Sequence, residues 1–285
     1  MNRLLSLDIS FNNIHKIHPG AFGHSNDIES ITLVGNRIDE IEKGTFYTST
    51  HLKTLKLGNN SISDPLKIDL DGLIGLQELD ISMNKLTSIK SSVFASMENL
   101  KQLDLRENKI KIVHDNAFAK LTRLDKLDIS GNQLTSIRDE TFFGTMELKQ
   151  IKLARNKITE VSSMAFETNT ELEDIDLSEN NLLSLPVEVF SENTNLQTIV
   201  LSGNQLQTLH IEWFGTAVVQ AAQKHGMLAA RRALREKFDI QKLMSQYRPE
   251  GFDFVDPTEK TIDLGKYMES LWTGFSIQIY AFFRT

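Results

Sequence analysis

The sequence predicts a solenoid, a rod of stacked coils that share one continuous core. The first observation is a 24-residue template that recurs nine times without an insertion. The second is that Leu, Ile or Val returns at the same places in every copy, with one Asn and, in eight of the nine copies, a Phe ten residues later. A fixed period of this length indicates repeats that bury their apolar faces against one another. We assign the repeats to residues 1–216, with copies starting near residues 4, 28, 52, 76, 100, 124, 148, 172 and 196.

Each copy is expected to open with a short strand. In the fifth copy, Leu103 and Leu105 lie two residues apart, which places both side chains on one face of a strand. The residues beside them, such as Asp104, then point to solvent. Stacked copies bring these strands together as a parallel sheet with a spacing of about 4.8 Å. The sheet is expected to line the concave side of the rod, because strands stack more closely than the bulkier return segments.

The Asn of each copy is predicted to lie buried where the strand ends and the chain turns inward. A buried amide there can donate and accept hydrogen bonds, so it satisfies backbone groups that no regular structure pairs. The predicted structural ladder is Asn12, Asn36, Asn60, Asn84, Asn108, Asn132, Asn156, Asn180 and Asn204. We assign these residues to the core rather than to function.

The return segment of each copy is predicted to be irregular or shortly helical and to form the convex side. Its aliphatic residues and its Phe are expected to point into the core, where each buried group contributes about 1.5–3 kcal/mol before entropy. The Phe positions are Phe22, Phe46, Phe94, Phe118, Phe142, Phe166, Phe190 and Phe214, with Leu70 in the third copy.

This template resembles the leucine-rich repeat family, in the class with a 24-residue period that animals use mostly outside the cell. Toll-type receptors, Slit, chaoptin, small leucine-rich proteoglycans and secreted insect immune repeat proteins have similar patterns. The resemblance covers residues 4 to about 216. It implies a right-handed α/β-type horseshoe that recognises a ligand on its concave face and edges, which is an inference by analogy of fold.

Two features depart from the extracellular members of that family. Those members usually carry cysteine-rich caps, whereas this chain contains no cysteine. Residues 1–3 run directly into the first predicted strand, without the pattern of a signal peptide. The first copy would then present an apolar edge, so we expect an N-terminally incomplete product of an extracellular or cell-surface protein. A cytoplasmic scaffold or regulatory subunit is the alternative, and the lack of cysteine agrees with it equally.

Residues 217–285 are predicted to form a non-repeat appendage that is mainly helical. A long helix is expected over residues 217–247, which are rich in helix formers, contain Gly226 and end before Pro249. A loop and short elements are expected to follow it. Two interpretations remain open: the appendage packs on the last copy as a cap, or it is joined to the repeats without packing on them.

The residues that point outward from the strands form the predicted partner-binding face. Its charges concentrate in the central copies, and we assign protein binding to Glu78, Asp80, Gln102, Asp104, Arg106, Lys126, Asp128, Gln150, Lys152, Asp174 and Asp176. A third outward column is expected through Ser10, Val34, Gly58, Ser82, Arg106, Ser130, Ala154, Ser178 and Ser202. The alternative is that the aspartates serve only solubility. Because the face lacks aromatic anchors, a large polar contact of modest affinity is expected.

Two further classes of partner are argued against. The net charge is −7 and the excess of acidic residues lies in the repeats, which disfavours sequence-independent binding of nucleic acid. The exception is a cationic edge just past the Asn ladder, formed by Arg37, Lys85, Lys109 and Lys157 with Arg106 and Arg155 nearby. No apolar run reaches the ~20 residues of a membrane helix, so insertion into a membrane is not expected.

Catalytic chemistry is not indicated. The sequence contains no P-loop, nucleophile elbow or zinc-protease motif, and its seven histidines are scattered among different copies. We therefore expect no catalytic residue, no cofactor and no metal site. The resemblance then implies a non-enzymatic module that recognises a protein ligand in signalling, adhesion or innate immunity.

Overall fold

The nine predicted strands form one parallel sheet, so the solenoid prediction is confirmed. The computed structural model describes residues 4–22, 27–68, 70–91, 93–208, 210 and 213. The strands of this sheet are β1 (Ser6–Asp8), β3 (Ser30–Thr32), β5 (Thr54–Lys56), β6 (Glu78–Asp80), β8 (Gln102–Asp104), β10 (Lys126–Asp128), β12 (Gln150–Lys152), β14 (Asp174–Asp176) and β15 (Thr198–Val200). The predicted appendage of residues 217–285, and Phe214, lie outside the described residues.

Neighbouring strands pair at the period of the template, so each template position forms a column along the rod. Leu79 lies opposite Leu103, and Leu103 lies opposite Leu127. These inward side chains are at most 2% exposed. Because side chains alternate along a strand, the residues beside each Leu reach the other face of the sheet. The sheet therefore separates the apolar core from one outward face, which is the concave face of the horseshoe.

The phenylalanines of the return segments form an aromatic column through the core. Rings stack from Phe94 through Phe118, Phe142 and Phe166 to Phe190, with centroids 5.7–6.3 Å apart. Stacked aromatic pairs contribute about 0.5–1.5 kcal/mol beyond the burial of their area. Leu70 interrupts the column in the third copy and separates this run from the Phe22–Phe46 pair. Beyond the eighth copy, Trp213 is buried and its Nε1 donates to the Pro186 carbonyl at 2.9 Å.

A second set of strands lies on the flank of the rod, just after the Asn ladder. Each is two residues long: β2 (Lys16–Ile17), β4 (Glu40–Ile41), β7 (Ser88–Ile89), β9 (Ile112–Val113), β11 (Ser136–Ile137) and β13 (Glu160–Val161). They pair as β2–β4, β7–β9 and β11–β13. The rest of the return segments consists largely of tight turns, and the one helix among the described residues is a 3₁₀ turn, Pro65–Lys67.

Prolines explain two interruptions of these flank sheets. In the third copy, Pro65 starts the 3₁₀ turn, and the Asp64 side chain caps it. In the eighth copy, Pro186 takes the place that Ser162 holds in the seventh copy, where the Ser162 N–H donates to the Ile137 carbonyl at 2.9 Å. A proline has no N–H to donate. This backbone bond is therefore missing between copies seven and eight, whereas the Gln207 N–H donates to the Leu183 carbonyl at 3.0 Å between copies eight and nine.

A second buried polar column, which the sequence analysis did not predict, joins copies six to eight near the convex side. The Asn193 Nδ2 donates to the carbonyls of Asn169 and Phe166 at 2.8 and 2.9 Å. The Asn169 Nδ2 donates in turn to the Thr145 carbonyl and hydroxyl at 3.0 and 2.9 Å. Copies three to five carry Leu73, Met97 and Leu121 at this place, and copies one and two carry Ser25 and Ser49. The polar column is therefore not part of the template that all copies share.

Candidate functional site

The ladder asparagines tie each coil to the one before it. The Asn132 Nδ2 donates to Leu105 O of the preceding copy and to Ile129 O of its own copy, both at 3.0 Å. Its Oδ1 accepts the N–H of Ile110, again from the preceding copy, at 3.0 Å. The same three contacts recur at Asn36, Asn60, Asn84, Asn108, Asn156, Asn180 and Asn204. Each amide is thus used as donor and acceptor between coils.

Asn12 departs from this pattern, and the expectation that it is buried is wrong. Its side chain is exposed, and its Nδ2 donates only to the carbonyls of Ile9 and Ser10 at 3.1 and 3.0 Å. The partners that the other ladder residues find in a preceding coil have no counterpart among the described residues. Asn12 is therefore a natural comparison for the internal members of the ladder.

The structure brings the predicted partner-binding residues together in two adjacent columns. One column contains Glu78, Gln102, Lys126, Gln150 and Asp174. The other contains Asp80, Asp104, Asp128, Lys152 and Asp176. All of these side chains are half-buried or exposed, and Arg106 lies exposed just beyond the end of β8. The predicted set is thus one continuous polar surface on the concave face.

The aspartates of the second column have a structural role. In each, Oδ1 accepts the backbone N–H two residues further on: Asp80 from Ser82, Asp104 from Arg106, Asp128 from Ser130 and Asp176 from Ser178, at 2.8–3.0 Å. Such side-chain contacts stabilise a turn at the strand end. They explain why Asp recurs at this place without reference to a partner.

The third column was predicted to point outward, and for most of its members this is wrong. Gly58, Ser82, Ser130, Ala154 and Ser178 are buried, with Ser82 only 3% exposed. The chain already turns inward here, and the aspartate of the column beside it folds over the turn. A Cβ placed on Gly58 would lie 2.9 Å from Oδ2 of Asp80. Small residues are therefore required for packing, and Arg106 is the exposed exception.

Ion pairs neutralise only part of the face. Lys56 Nζ lies 3.0 Å from Glu78 Oε1, in the neighbouring strand. Arg106 Nε lies 3.3 Å from Asp104 Oδ2, and Lys152 Nζ lies 3.9 Å from Asp128 Oδ2. Within the described ranges, Asp80, Asp174 and Asp176 form no ion pair, and neither does Lys126. The face therefore offers three unneutralised aspartates, one on β6 and two on β14, on the two sides of its centre.

Burial raises the pKa of the Asp104 carboxyl above its ordinary value of 3.8. The carboxylates of Asp80 and Asp128, stacked on either side in register, raise it further. The N–H and the guanidinium of Arg106 act in the opposite direction. Like charges at this separation repel each other, so ionisation of the central aspartate is opposed by its surroundings.

This shift predicts a pH-dependent gain in stability for Asp104→Asn. A carboxyl with a raised pKa in the folded state favours folding below pH 3.8 and opposes folding above its folded-state pKa. The Asn oxygen can still accept the Arg106 N–H while the charge is removed. We expect the variant to be more stable than the wild type near pH 7, with the difference shrinking as the pH falls towards 3.8.

Urea unfolding at a series of pH values measures this difference. Glu98→Gln, which removes an exposed carboxylate on a return segment, is the matched control and should leave the free energy of unfolding nearly unchanged. An Asp104→Asn protein that is equally or less stable than the wild type near neutral pH would contradict the prediction.

The margin of the concave face carries an unusual backbone conformation that the sequence analysis did not anticipate. The residue before each of six ladder asparagines has a positive φ without being glycine: Phe11, Asn59, Met83, Glu107, Arg155 and Glu179, at 52–56°. Gly35, Gly131 and Gly203 hold the same position in the other copies. Left-handed backbone is uncommon for residues with a side chain. The turn into the ladder imposes it, and the side chains project from the margin.

Two features are absent from the described part of the chain. No group of three or more His, Asp or Glu side chains there is arranged to hold a metal ion. Among the same residues, no helix has the length and apolarity that a membrane crossing requires. The geometry that remains is a rigid, charged sheet face with projecting margins.

Comparison with known families agrees with this architecture. Models described as leucine rich repeat match residues 26–82 and 74–134, and a further one matches residues 3–25. A model of the BspA type leucine rich repeat region matches residues 111–220. The chain is a leucine-rich repeat protein. No curated protein matches it in a sequence comparison.

Solved structures of other leucine-rich repeat proteins share the fold. The FLRT2 repeats, in an octameric complex with Latrophilin 3 and Unc5D, are 26% identical with a TM-score of 0.66, covering 77% of this chain and 66% of that one. Toll in the Drosophila Toll–Spatzle complex is 24% identical with a TM-score of 0.58, covering 73% of this chain and 33% of that one. TLR13 in its complex with ssRNA13 is 21% identical with a TM-score of 0.58, covering 74% of this chain and 38% of that one.

The sequence identity and the coverage limit what each of these comparisons shows. At 24% and 21% identity, Toll and TLR13 show the fold alone. This leucine-rich repeat protein spans about a third of the matched Toll chain and about two thirds of the matched FLRT2 chain. What those proteins bind is therefore a guide to hypotheses about this one.

Proposed function

We propose that this leucine-rich repeat protein is a non-enzymatic recognition module that binds a protein partner on its concave face, in an extracellular or cell-surface setting. The binding surface runs over β6, β8, β10, β12 and β14. The observation that carries the proposal is the incomplete neutralisation of this face: Asp80, Asp174 and Asp176 are unpaired within the described ranges. Such groups gain favourable interactions when a partner supplies cations.

The partner is expected to be a folded protein with basic residues spaced along the sheet. The face is held rigid by register pairing and by the ladder, so little ordering is needed on binding. The residues assigned to it are charged or amide side chains without an aromatic anchor, which favours a broad polar contact. FLRT2, whose repeats are found in a complex with Latrophilin 3 and Unc5D, supports a role of this kind in signalling or adhesion.

Loss of the aspartate charges should weaken partner capture while leaving the fold intact. The variant is Asp80→Asn, Asp174→Asn and Asp176→Asn in the full chain, because these three carboxylates form no ion pair within the described residues, and Asn keeps the oxygen with which Asp80 and Asp176 cap their turns. We expect affinity for a captured secreted or cell-surface protein to fall about tenfold or more, since each charge pair contributes roughly 0.2–1 kcal/mol or more when partly desolvated. Capture from conditioned medium, followed by titration with the purified partner, measures it.

The matched control removes three exposed carboxylates from the return segments: Glu98→Gln, Glu147→Gln and Glu188→Gln. It changes the net charge equally but leaves the concave face intact. Capture should survive in the control and weaken in both proteins at higher salt. Equal capture by the concave variant and the wild type would place the interface elsewhere and overturn the proposal.

A further inference from the structure

The flank sheets are interrupted between copies five and six, where no proline is present. Strands β7 and β9 pair, as do β11 and β13, but β9 and β11 do not pair with each other. The cause is Arg138, whose N–H donates to the Thr141 hydroxyl at 2.9 Å. The Arg138 guanidinium donates to the Val113 carbonyl at 3.1 Å and forms an ion pair with Asp115 at 2.8 Å. The arginine side chain thus replaces a backbone hydrogen bond between the flank strands.

The corresponding backbone bonds exist in the neighbouring copies. The His114 N–H donates to the Ile89 carbonyl at 2.9 Å, at the place equivalent to Arg138. Three residues earlier in the template, the Thr159 N–H of copy seven donates to the Thr135 carbonyl of copy six at 2.9 Å. Between copies five and six, the Thr135 N–H forms no such bond with Lys111 in the described structure. The Thr135 N–H and the Lys111 carbonyl are therefore left without a backbone partner among the described residues.

The gap between the flank segments of copies five and six forms a cleft of about 210 Å³. Its lining is Lys111, Ile112, Val113, Leu134, Thr135, Ser136, Arg138 and Thr141. Val113 and Leu134 are buried and form an apolar floor, whereas Ile112 is 52% exposed at the mouth. Small-molecule sites measure roughly 300–1,000 Å³, so this cleft suits a single inserted side chain rather than a whole metabolite.

Unpaired cations lie beside the cleft on an otherwise acidic rod. Lys109 and Lys111 are exposed and form no ion pair within the described residues. Lys157 holds the place of Lys109 two copies further on and is likewise exposed and unpaired there. Asp115, two residues after Val113 of the cleft floor, is paired with Arg138. An approaching carboxylate would therefore meet a positive local field.

We propose that this flank is a second interaction surface, which binds an extended acidic segment of another protein. An aliphatic side chain of that segment fills the cleft, and its carboxylates lie against Lys109 and Lys111. The apolar floor favours a polypeptide over a polyanion such as a glycan or a nucleic acid. This surface is separate from the concave face and goes beyond the function proposed above.

Fluorescence anisotropy of the full chain with a labelled peptide of alternating glutamate and leucine tests the proposal. A glutamate–serine peptide and heparin are the comparison probes. We expect the leucine peptide to bind, and Ile112→Asp or the pair Lys109→Glu and Lys111→Glu to weaken it about tenfold or more, as for the loss of a central anchor or two attractive charges. These side chains are exposed, so the substitutions leave the core intact.

The control pair is Lys120→Glu and Lys149→Glu, which makes the same charge change at exposed lysines away from the cleft. It should keep the leucine peptide bound, as should the concave variant with three Asn substitutions. No binding of the leucine peptide, equal binding of the serine peptide or of heparin, or an unaffected Ile112→Asp protein would each overturn the proposal. Failure of the concave variant to lose its partner would bear on the proposed function and not on this surface.

Discussion

Asn132→Ala is expected to lower the free energy of unfolding by about 3 kcal/mol or more, because a buried donor is left without a partner and further hydrogen bonds are lost. The orphaned group is the N–H of Ile110, whose acceptor is Oδ1 of Asn132. The carbonyls that Asn132 serves are less affected. Leu105 O also accepts from Asn108, and Ile129 O also accepts from Asn156. Loss of the Asn132 amide therefore leaves each of these carbonyls with another donor, but it leaves the Ile110 N–H without an acceptor.

The position of Asn132 within the array adds to the effect. It lies in the sixth of nine copies, and repeat proteins derive their cooperativity from contacts between neighbouring units. Weakening one internal interface is expected to separate unfolding of the flanking copies. Guanidinium unfolding followed by far-UV circular dichroism should show a lower midpoint and a reduced slope, or two transitions in place of one.

Asn12→Ala is the matched control for this prediction. It removes the same amide from an exposed ladder position, where among the described residues the amide hydrogen-bonds only within its own coil. Its loss should change the free energy of unfolding by about 1 kcal/mol or less. If the two variants lost similar stability, the contacts between coils would not be the source of the ladder's contribution.

Phe142→Ala is expected to destabilise the protein by about 3–5 kcal/mol, the range for truncating a buried aromatic side chain. Phe142 has no exposed area and stacks on Phe118 at 6.3 Å and on Phe166 at 5.7 Å. Truncation removes both ring contacts and leaves a void between coils that cannot collapse, because register pairing of the strands holds the coils apart. The loss should appear in thermal and in denaturant unfolding.

Phe143, the next residue, provides a control with the same chemistry. Its side chain is 44% exposed on the convex side. Phe143→Ala should therefore change stability by less than about 1 kcal/mol. Comparable losses at Phe142 and Phe143 would contradict the assignment of the aromatic column as a main element of the core.

Features that depend on local interactions could be predicted from the sequence, whereas features that depend on the turn between segments could not. Leu103 and Leu127 could be assigned to the core because alternation along a strand is local, and stacking repeats it in every copy. Ser82 and Ser130 were misassigned because the point at which the chain leaves the strand depends on a turn that Asp80 and Asp128 stabilise. Alternation alone does not report where a strand ends.

The candidate binding face shows the same division. Its members could be named in advance, since their template positions place them on the outer side of the strands. Which of their charges are neutralised could not be predicted. Whether Asp104 meets Arg106 or only its neighbouring aspartates depends on side-chain positions across three strands. The interruption of the flank strands between copies five and six could not be predicted either, because Arg138 occupies an ordinary template position and differs only in what its side chain contacts.

The sequence by itself determined the solenoid, its 24-residue register, and the division of most side chains between core and surface. These features follow from one short pattern repeated nine times, in which every copy meets a neighbour of the same shape. Only the tertiary structure decided which aspartates remain unneutralised, which turns adopt left-handed backbone, and where the flank opens between copies five and six. Those properties arise from contacts between side chains of adjacent coils, which the repeat period brings together but does not specify.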